Sequence, residues 1–172
     1  AFYKNKMVAV IGGSNSAAHS AILLSRFAKQ VYLIYRKELI RCEPILCKEI
    51  EKIKNIEIIT NTQIKQVKGT RFVEKAILDK EYKGKKELKL DGIFIEIGSI
   101  PSSALAEELG VKLSASGDII VNELCETSIK GVFAAGDVTN TVLKQGITAA
   151  AQGAIAATSA YAHITGRRAG GA

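Results

Sequence analysis

The stretch Met7-Val-Ala-Val-Ile-Gly-Gly-Ser-Asn-Ser-Ala17 decides the fold of this 172-residue chain. Its apolar residues run into a turn of small residues, and the turn opens a segment, Asn15–Lys29, that we expect to be helical. A second apolar run, Val31–Tyr35, follows. This order of strand, turn, helix and strand is the start of a βαβ unit that binds a dinucleotide, with the pyrophosphate at the helix N-terminus. The sequence therefore predicts an α/β fold with a parallel sheet.

The glycine-rich turn departs from the usual Gly-x-Gly-x-x-Gly/Ala pattern. Gly12 supplies the first glycine, and Ala17 is small enough for close packing of the helix on the strand. Ser14 replaces the middle glycine, so its side chain narrows the approach to the pyrophosphate, although Gly13 beside it can relieve the strain. Backbone N–H groups at the helix start still point toward a phosphate. The expected phosphate-binding residues are Gly12, Gly13, Ser14, Asn15 and Ser16.

A basic cluster ends the second predicted strand. The tip of this strand reads Tyr35, Arg36, Lys37, and Arg41 lies four residues beyond Lys37. In such units the tip faces the adenosine ribose, where an Asp or Glu would accept hydrogen bonds from the free 2′-hydroxyl of NAD. Cations instead pair with a 2′-phosphate. The cluster therefore predicts that the nucleotide is NADPH rather than NADH.

The composition limits the classes of function. The chain is 47% hydrophobic, enough for one or two small domains, and no apolar run reaches the roughly 18 residues of a membrane span. Residues 1–97 carry 19 Lys/Arg and 11 Asp/Glu, including a run at Lys80–Lys89 that we expect to be a solvated hairpin. Aromatic residues, at 6%, do not form the stacking platform with basic residues that nucleic acid requires. We therefore expect neither a nucleic acid nor a membrane as a partner.

The three cysteines, Cys42, Cys47 and Cys125, predict neither a disulfide framework nor a zinc site. Cys42 and Cys47 lie in a stretch that we expect to be helical, at a spacing that would point their side chains to different faces. Because the sequence predicts no disulfide framework and contains no Cys-x-x-Cys, a reduced, cytoplasmic protein is the simplest interpretation. The two histidines, His19 and His163, are isolated, and we expect no catalytic and no metal-binding residue.

Periodicity and turn residues predict the remaining elements. Pro44 fits the first turn of a helix that runs to about Lys54. A parallel strand, an antiparallel meander and a buried closing strand are expected at 56–60, 64–68, 73–79, 87–90 and 91–98. A second module is expected to hold a short helix at 104–109, a strand at 119–122, a strand that enters a Gly-Asp turn within 130–138, and a long apolar helix at 141–164. The predicted domains are residues 1–97 and 98–165, with a disordered tail at 166–172.

Four segments lie in the order and at the spacing of a known family: Tyr35–Arg41, Asp91–Gly98, Glu126–Val138 and Lys144–Ile147. They resemble parts of the small flavoprotein thioredoxin reductases, of the pyridine nucleotide-disulfide oxidoreductase family, and the resemblance covers nearly the whole chain. Tyr35–Arg41 is similar to the residues that clamp the 2′-phosphate in that family, and Asp91–Gly98 is similar to the strand that returns the chain to the flavin domain. Glu126–Val138 is similar to the family's flavin motif, and Lys144–Ile147 is similar to its Arg-Gln-Ala-Ile segment. Lys37 replaces an arginine of the clamp, which keeps the charge and loses a bidentate contact.

The resemblance implies a fold and two cofactors, NADPH and FAD. The fold would be a three-layer, Rossmann-like dinucleotide-binding domain with a parallel sheet and an antiparallel meander, followed by the C-terminal segment of a FAD-binding domain. Asp137 would accept a hydrogen bond from a ribityl hydroxyl, and the helix start near Lys144 would face the flavin ring. The further cofactor-binding residues implied are Ile97, Gly98, Gly136, Asp137, Val138, Lys144, Gln145, Gly146 and Ile147.

The family's N-terminal FAD-binding half and its redox-active Cys-x-x-Cys are not in this sequence, so we expect the chain to be the C-terminal part of a larger enzyme. The resemblance implies that the intact enzyme, a homodimer, passes a hydride from NADPH to FAD and then electrons through that disulfide to a thioredoxin-like protein. Two alternatives stay open: a ferredoxin–NADP reductase of this architecture without redox cysteines, and a non-catalytic NADP-binding module. A Cys-x-x-Cys upstream of Ala1 would favour the disulfide reductase, and the apolar helix at 141–164 disfavours the isolated module.

Overall fold

Two β-sheets form the first of two compact units, Ala1–Gly98, and the second unit begins at Ser99. The structure is a computed structural model that describes residues 1–166, so the tail predicted at 166–172 lies outside the described residues except for Gly166. The elements of the first unit are β1 (Met7–Ile11), α1 (Asn15–Ser25), β2 (Gln30–Ile34), α2 (Pro44–Lys52), β3 (Ile56–Ile59), β4 (Ile64–Lys68), β5 (Lys75–Tyr82), β6 (Lys85–Lys89) and β7 (Gly92–Ile95).

The parallel sheet has the strand order β3-β2-β1-β7, and every adjacent pair in it is parallel. The chain leaves β1 through the glycine-rich turn and α1, and it returns as β2 on one side, whereas β7 lies on the other side. Connections that diverge in this way leave a crevice at the carboxyl ends of the strands, which is where α/β sheets bind ligands. The topology therefore places the glycine-rich turn at the point where the strand order reverses.

Residues of β1 pack on both faces of the parallel sheet because successive strand residues point in opposite directions. Val8 and Val10 are buried on the side of the helices, in the same cluster as Ile50 of α2. Ala9 is buried on the opposite side with Leu78 of the antiparallel sheet β4-β5-β6. Helices, parallel sheet and antiparallel sheet make three layers, so the predicted Rossmann-like fold with its antiparallel meander is confirmed.

The helix α1 ends at Ser25 rather than at the predicted Lys29. The side-chain amide of Asn55 donates hydrogen bonds to the carbonyls of Ser25 and Ala28, at 2.8 and 3.0 Å. The carbonyl of Ser25, at the end of the helix, and that of Ala28, in the loop after it, therefore have a partner outside the helix.

Loops make up most of the second unit. Its elements are α3 (Ala104–Glu108), a 3-10 turn (Gly136–Val138) and α4 (Gly146–Thr165). The strands predicted at 119–122 and 130–138 are wrong: within residues 1–166 these segments form only isolated bridges, one of them at Ile119. Gly131 and Gly136, both within 130–138, have positive φ angles, 84° and 82°, and these bend the backbone away from the extended conformation that a paired strand needs.

The long helix α4 begins at Gly146 and not at Thr141, because Gln145 is still extended and forms the N-cap. The sequence predicts an apolar helix that packs closely on more than one side. Within this unit its apolar side chains are mostly open to solvent, with Ile147 79% and Ile164 82% exposed. No helix in the described part of the chain combines the length and the hydropathy needed to cross a membrane.

Replacing Ile50 tests the packing of α2. We expect Ile50→Ala to lower the free energy of unfolding by about 2–5 kcal/mol, because this side chain is 1% exposed and its removal leaves a cavity. The matched control is Ile45→Ala on the same helix, where the side chain is 72% exposed and the expected change is below about 0.5 kcal/mol. Chemical unfolding followed by circular dichroism measures both, and equal losses would contradict the buried face assigned to α2.

Candidate nucleotide-binding site

A cavity of about 470 Å³ opens at the carboxyl end of the parallel sheet, within the first unit. It lies beside the ends of β1 and β2 and the segment that follows β7, at the crevice that the strand order predicts. Eight residues predicted from the sequence line it: Gly12, Gly13, Ser14, Tyr35, Arg36, Arg41, Ile97 and Gly98. Three others predicted for this site are not in its lining: Asn15, Ser16 and Lys37.

Two glycines bring the backbone of the turn close to its neighbours. Gly12 has a φ of 150°, which residues with a side chain rarely adopt, and a Cβ there would collide with the carbonyl oxygen of Glu96. A Cβ at Gly13 would lie 2.7 Å from ring carbons of Tyr35. Ser14 has an ordinary φ of −95° and an exposed side chain. The turn needs glycine at its first two positions, and a serine fits its third position without backbone strain.

Tyr35 orients one of the cavity's two arginines. Its side chain is buried against Gly13, and its hydroxyl accepts a hydrogen bond from the Nε–H of Arg41 at 2.9 Å. Arg36 and Arg41 are both exposed at the cavity. Lys37 is exposed too, but it lies outside the cavity, and its carbonyl accepts the Asn61 N–H. The structure therefore brings Arg36 and Arg41 to the site and leaves Lys37 beside it.

The segment after β2 is fastened to the glycine-rich turn by hydrogen bonds. The backbone N–H of Arg41 donates to the carbonyl of Gly13. The side chain of Asn15 donates to the Glu43 carboxylate at 2.9 Å and accepts the Glu43 backbone N–H at 2.8 Å. Asn15 therefore supports the site from outside the cavity, at a position where the sequence predicts a phosphate contact.

Three polar residues of the lining were missed from the sequence: Thr62, Gln63 and Glu96. Glu96 directly precedes Ile97, and its carboxylate accepts a hydrogen bond from the Ser20 hydroxyl at 2.7 Å. The position of Glu96 at the end of a buried strand could have identified it, because the carboxyl ends of parallel strands meet at one edge. Thr62 and Gln63 follow β3 without any motif, so the sequence offered no signal for them.

Cys42 and Cys47 form a disulfide, and the prediction of side chains on different helix faces is wrong. The helix α2 begins at Pro44, so Cys42 lies in the non-helical segment before it, and the two Cα atoms are 5.9 Å apart. Cys125 is a buried free thiol, and burial raises its pKa. The described residues contain no cluster of His, Cys, Asp and Glu that could hold a metal ion.

The segment of the second unit that resembles a flavin motif, Glu126–Val138, ends in a tight turn. Gly136 has a φ of 82°, and its N–H donates to the side-chain carbonyl of Gln152 on α4 at 2.8 Å. The buried hydroxyl of Thr139 donates to the Gly136 carbonyl at 2.8 Å. The turn leaves Asp137 exposed and Val138 half-buried. An exposed carboxylate at Asp137 is thus available to accept hydrogen bonds.

Lys144 fixes the loop that precedes α4. Its Nζ donates to the carbonyl of Asp137 at 2.9 Å and to the carboxylate of Asp118. The lysine, with the hydroxyl of Ser116, holds the pKa of the Asp118 carboxyl below its usual range. The residues predicted alongside Lys144, namely Gln145, Gly146 and Ile147, are exposed at the N-cap and in the first turn of α4.

Together the parallel sheet, its second antiparallel layer and the glycine-rich turn at the strand reversal define the class of Rossmann-like α/β proteins. Family comparison narrows this class. The model of the pyridine nucleotide-disulphide oxidoreductases matches residues 2–153, and the chain belongs to this family.

Relatives agree with this assignment. The chain is 38% identical to the F component of the alkyl hydroperoxide reductase of Pseudomonas aeruginosa, over 94% of this chain and 31% of that protein. It is 32% identical to thioredoxin reductase of Bacillus subtilis, over 95% of this chain and 52% of that protein. The crystal structure of thioredoxin reductase from Lactococcus lactis superposes with a TM-score of 0.84 at 31% identity, over 96% of this chain and 55% of the other. The chain spans about half the length of these thioredoxin reductases.

The Asp118–Lys144 pair gives a stability that depends on pH. Because the pKa of Asp118 is lowered in the folded state, the pair stabilises fully above the unfolded value of about 3.9, and this stabilisation is lost as the pH falls through the folded value. We expect Asp118→Asn to lower the midpoint of chemical unfolding at pH 7 and to match the unmodified chain near pH 2. Glu87→Gln, which breaks the exposed pair with Lys75, is the control with little expected effect. A loss at Asp118 that is the same at every pH would contradict the ionic origin.

Proposed function

We propose that this chain is the NADPH-binding part and a portion of the FAD-binding part of a flavoprotein that reduces the disulfide of a thioredoxin-like protein. The observation that carries this proposal is the cavity at the strand reversal, in which two glycines and two arginines meet. Membership of the pyridine nucleotide-disulphide oxidoreductase family supports the reaction class. Relatives named thioredoxin reductase support the proposed acceptor.

The residues of the cavity fit a phosphorylated dinucleotide. Gly12 and Gly13 leave the turn without a Cβ, and the first N–H groups of α1 point out of it toward a pyrophosphate. Arg36 and Arg41 place two exposed cations at the tip of β2, on the adenosine side of such a site. No acidic residue lies among residues 35–37, where NAD selection would require one. The site therefore fits a ribose that carries a 2′-phosphate.

The wall after β7 would hold the other half of the nucleotide. Ile97 and Gly98 line the cavity on the far side of the glycine-rich turn from Arg36. Gly98 has a φ of 100°, and a Cβ there would meet no other atom, so glycine is needed for the backbone turn and leaves open space. The backbone at Gly98 can thus approach a bound ring closely.

The second unit supplies part of a flavin site. Asp137 would accept a ribityl hydroxyl, and the unpaired N–H groups in the first turn of α4 would face an electron-rich group. Lys144 would act indirectly, by holding the carbonyl of Asp137 and so fixing the turn. The residues around Gly12 and Arg36 would hold NADPH, which would supply the hydride, and Asp137 with the start of α4 would hold part of the flavin that would accept it.

The exposed face of α4 indicates where the remainder of a flavin-binding domain would pack. Ile147, Ile155, Tyr161 and Ile164 are exposed on this helix, and an apolar surface of this kind marks a contact site. The chain covers about half of the thioredoxin reductases it matches, so a second half exists in those relatives. We propose that an equivalent half covers this face in the complete protein.

Substitution of the two arginines tests the proposed choice of nucleotide. We expect Arg36→Ala with Arg41→Ala to raise the Kd for NADPH by roughly 10- to 100-fold, since a hydrogen bond to a charged group contributes about 1.5–3 kcal/mol. The Kd for NADH should change little, because NADH has no 2′-phosphate. Lys37→Ala, a cation on the same segment outside the cavity, is the matched control. Fluorescence titrations with both nucleotides measure this, and equal affinity of the unmodified chain for NADPH and NADH would refute the clamp.

Retention of flavin tests the second unit. We expect the 172-residue chain to leave gel filtration without bound FAD, because the hydrogen bonds at Asp137 and the start of α4, each about 1 kcal/mol, do not offset the ordering of so long a ligand. Joining the chain to the N-terminal half of a relative should restore a flavin absorption band. A band near one equivalent in the chain alone would contradict this division of the site.

A further inference from the structure

The Cys42–Cys47 disulfide lies beside the arginine clamp and belongs to none of the motifs used above. We propose that this pair is a thiol–disulfide exchange site that reacts with dithiols, and that its redox state sets the affinity of the cavity for NADPH. The inference rests on the proposed function, because it concerns the nucleotide that the cavity would bind.

Cys42 occupies the middle of the segment that borders the cavity. On one side of it, Arg41 donates its backbone N–H to the carbonyl of Gly13. On the other side, Glu43 exchanges two hydrogen bonds with the side chain of Asn15. Both neighbours of Cys42 are therefore joined to the glycine-rich turn, so a displacement of Cys42 disturbs the contacts of both.

Cys47 is anchored to the protein core. It lies in α2, between Leu46 and Ile50, two residues of that helix that are buried in the cluster formed with α1 and the parallel sheet. The disulfide therefore connects residues 41–43, which carry a proposed phosphate ligand, to a packed helix. Without the disulfide, this segment would be held by the packing of Cys42 on that cluster and by hydrogen bonds, of which those between Glu43 and Asn15 are exposed.

Reagents in solution can reach this pair. Cys42 and Cys47 are both half-buried, whereas Cys125 is buried with 2% of its surface exposed. Burial also raises the pKa of the Cys125 thiol, which lowers its thiolate fraction and its reactivity. A reduced dithiol attacks disulfides and not free thiols, so it should act on the Cys42–Cys47 pair, and the buried Cys125 should resist the oxidised form of the reagent.

Reduction of the disulfide transfers two electrons and two protons from the dithiol to the protein. A thiolate of the dithiol attacks one sulfur of the pair, so the protein disulfide breaks, a mixed disulfide forms and the released cysteine takes up a proton. The second thiol of the reagent then displaces the other cysteine. The protein gains two electrons and two protons as Cys42 and Cys47 thiols, and the dithiol leaves as its own disulfide. A disulfide reagent drives the reverse reaction.

Reduction should weaken NADPH binding through Arg41. Once the disulfide to α2 is broken, residues 41–43 would spend part of their time away from the glycine-rich turn. The apparent Kd for NADPH rises as the fraction of chains with Arg41 in its binding position falls. The effect should be confined to the nucleotide that carries a 2′-phosphate, because Arg41 would contact that group. In NADH the group is absent.

Titration of the chain in two redox buffers tests the proposal. The chain is equilibrated with reduced or oxidised dithiothreitol, free thiols are counted by alkylation and mass spectrometry, and NADPH and NADH are titrated in each state. We expect one free thiol in the oxidised form and three in the reduced form, from the three cysteines present. We expect the Kd for NADPH to be about three- to tenfold higher in the reduced form, and the Kd for NADH to change less than about twofold.

Two variants complete the test. Cys42→Ser with Cys47→Ser should bind NADPH as the reduced chain does in both buffers, and Cys125→Ser should keep the redox response of the unmodified chain. The proposal is overturned if no disulfide forms at any dithiothreitol ratio, if NADPH binds equally in both states, or if NADH shifts as much as NADPH. NADPH binding without a redox response leaves the proposed function standing, whereas a chain that binds no nucleotide in either state overturns both.

Discussion

At Gly12 and Gly13 the backbone of the first turn approaches its neighbours so closely that no side chain fits. The neighbour of Gly12 is the carbonyl of Glu96 after β7, and the neighbour of Gly13 is the ring of Tyr35 after β2. The turn therefore contacts the ends of the strands on either side of β1 at once. This close approach positions the two walls of the cavity and the aromatic ring that holds Arg41. A larger residue at either glycine would disturb the sheet edge and the proposed nucleotide site together.

Local sequence patterns were sufficient to predict the order of strands and helices in the first unit. β1 and β2 were recognised from two apolar runs, and the start of α1 from the small-residue turn between them. Such elements can be predicted because strands and helices repeat with different periods and because turns favour particular residues. The three cations after β2 were predicted to lie together at the nucleotide site, and the structure brings Arg36 and Arg41, though not Lys37, to the cavity. Glu96 was missed because no motif marks it, although it ends a predicted buried strand and directly precedes Ile97, which was predicted for the site.

The loop structure of the second unit and the pairing of the cysteines were not predicted correctly, because they depend on contacts between residues that local sequence patterns do not reveal. Apolar residues at 119–122 and 130–138 have the composition of strands, but a strand also requires a partner, and these segments form only isolated bridges. The positive φ angles at Gly131 and Gly136 also bend the second segment. The helix α4 began later than predicted since Gln145 stays extended beside the tethered Lys144. Cys42 was expected in a helical stretch although Pro44 was already predicted as the first turn of α2. Its position before the helix allows a covalent bond to Cys47, where separate helix faces were expected.

The order of the strands in the parallel sheet has a consequence for the speed of folding. β7 pairs with β1 although the antiparallel sheet lies between them in sequence, and the contact of Asp91 with the Met7 N–H closes a loop of 84 residues. Pairs so distant are slow to form because the chain entropy of closing the loop precedes the gain from pairing. The wall of the cavity at Glu96–Gly98 is therefore completed among the last parts of the unit. A nascent chain must be synthesised beyond Gly98 before this pocket can exist, so ligand cannot assist the earlier steps of folding.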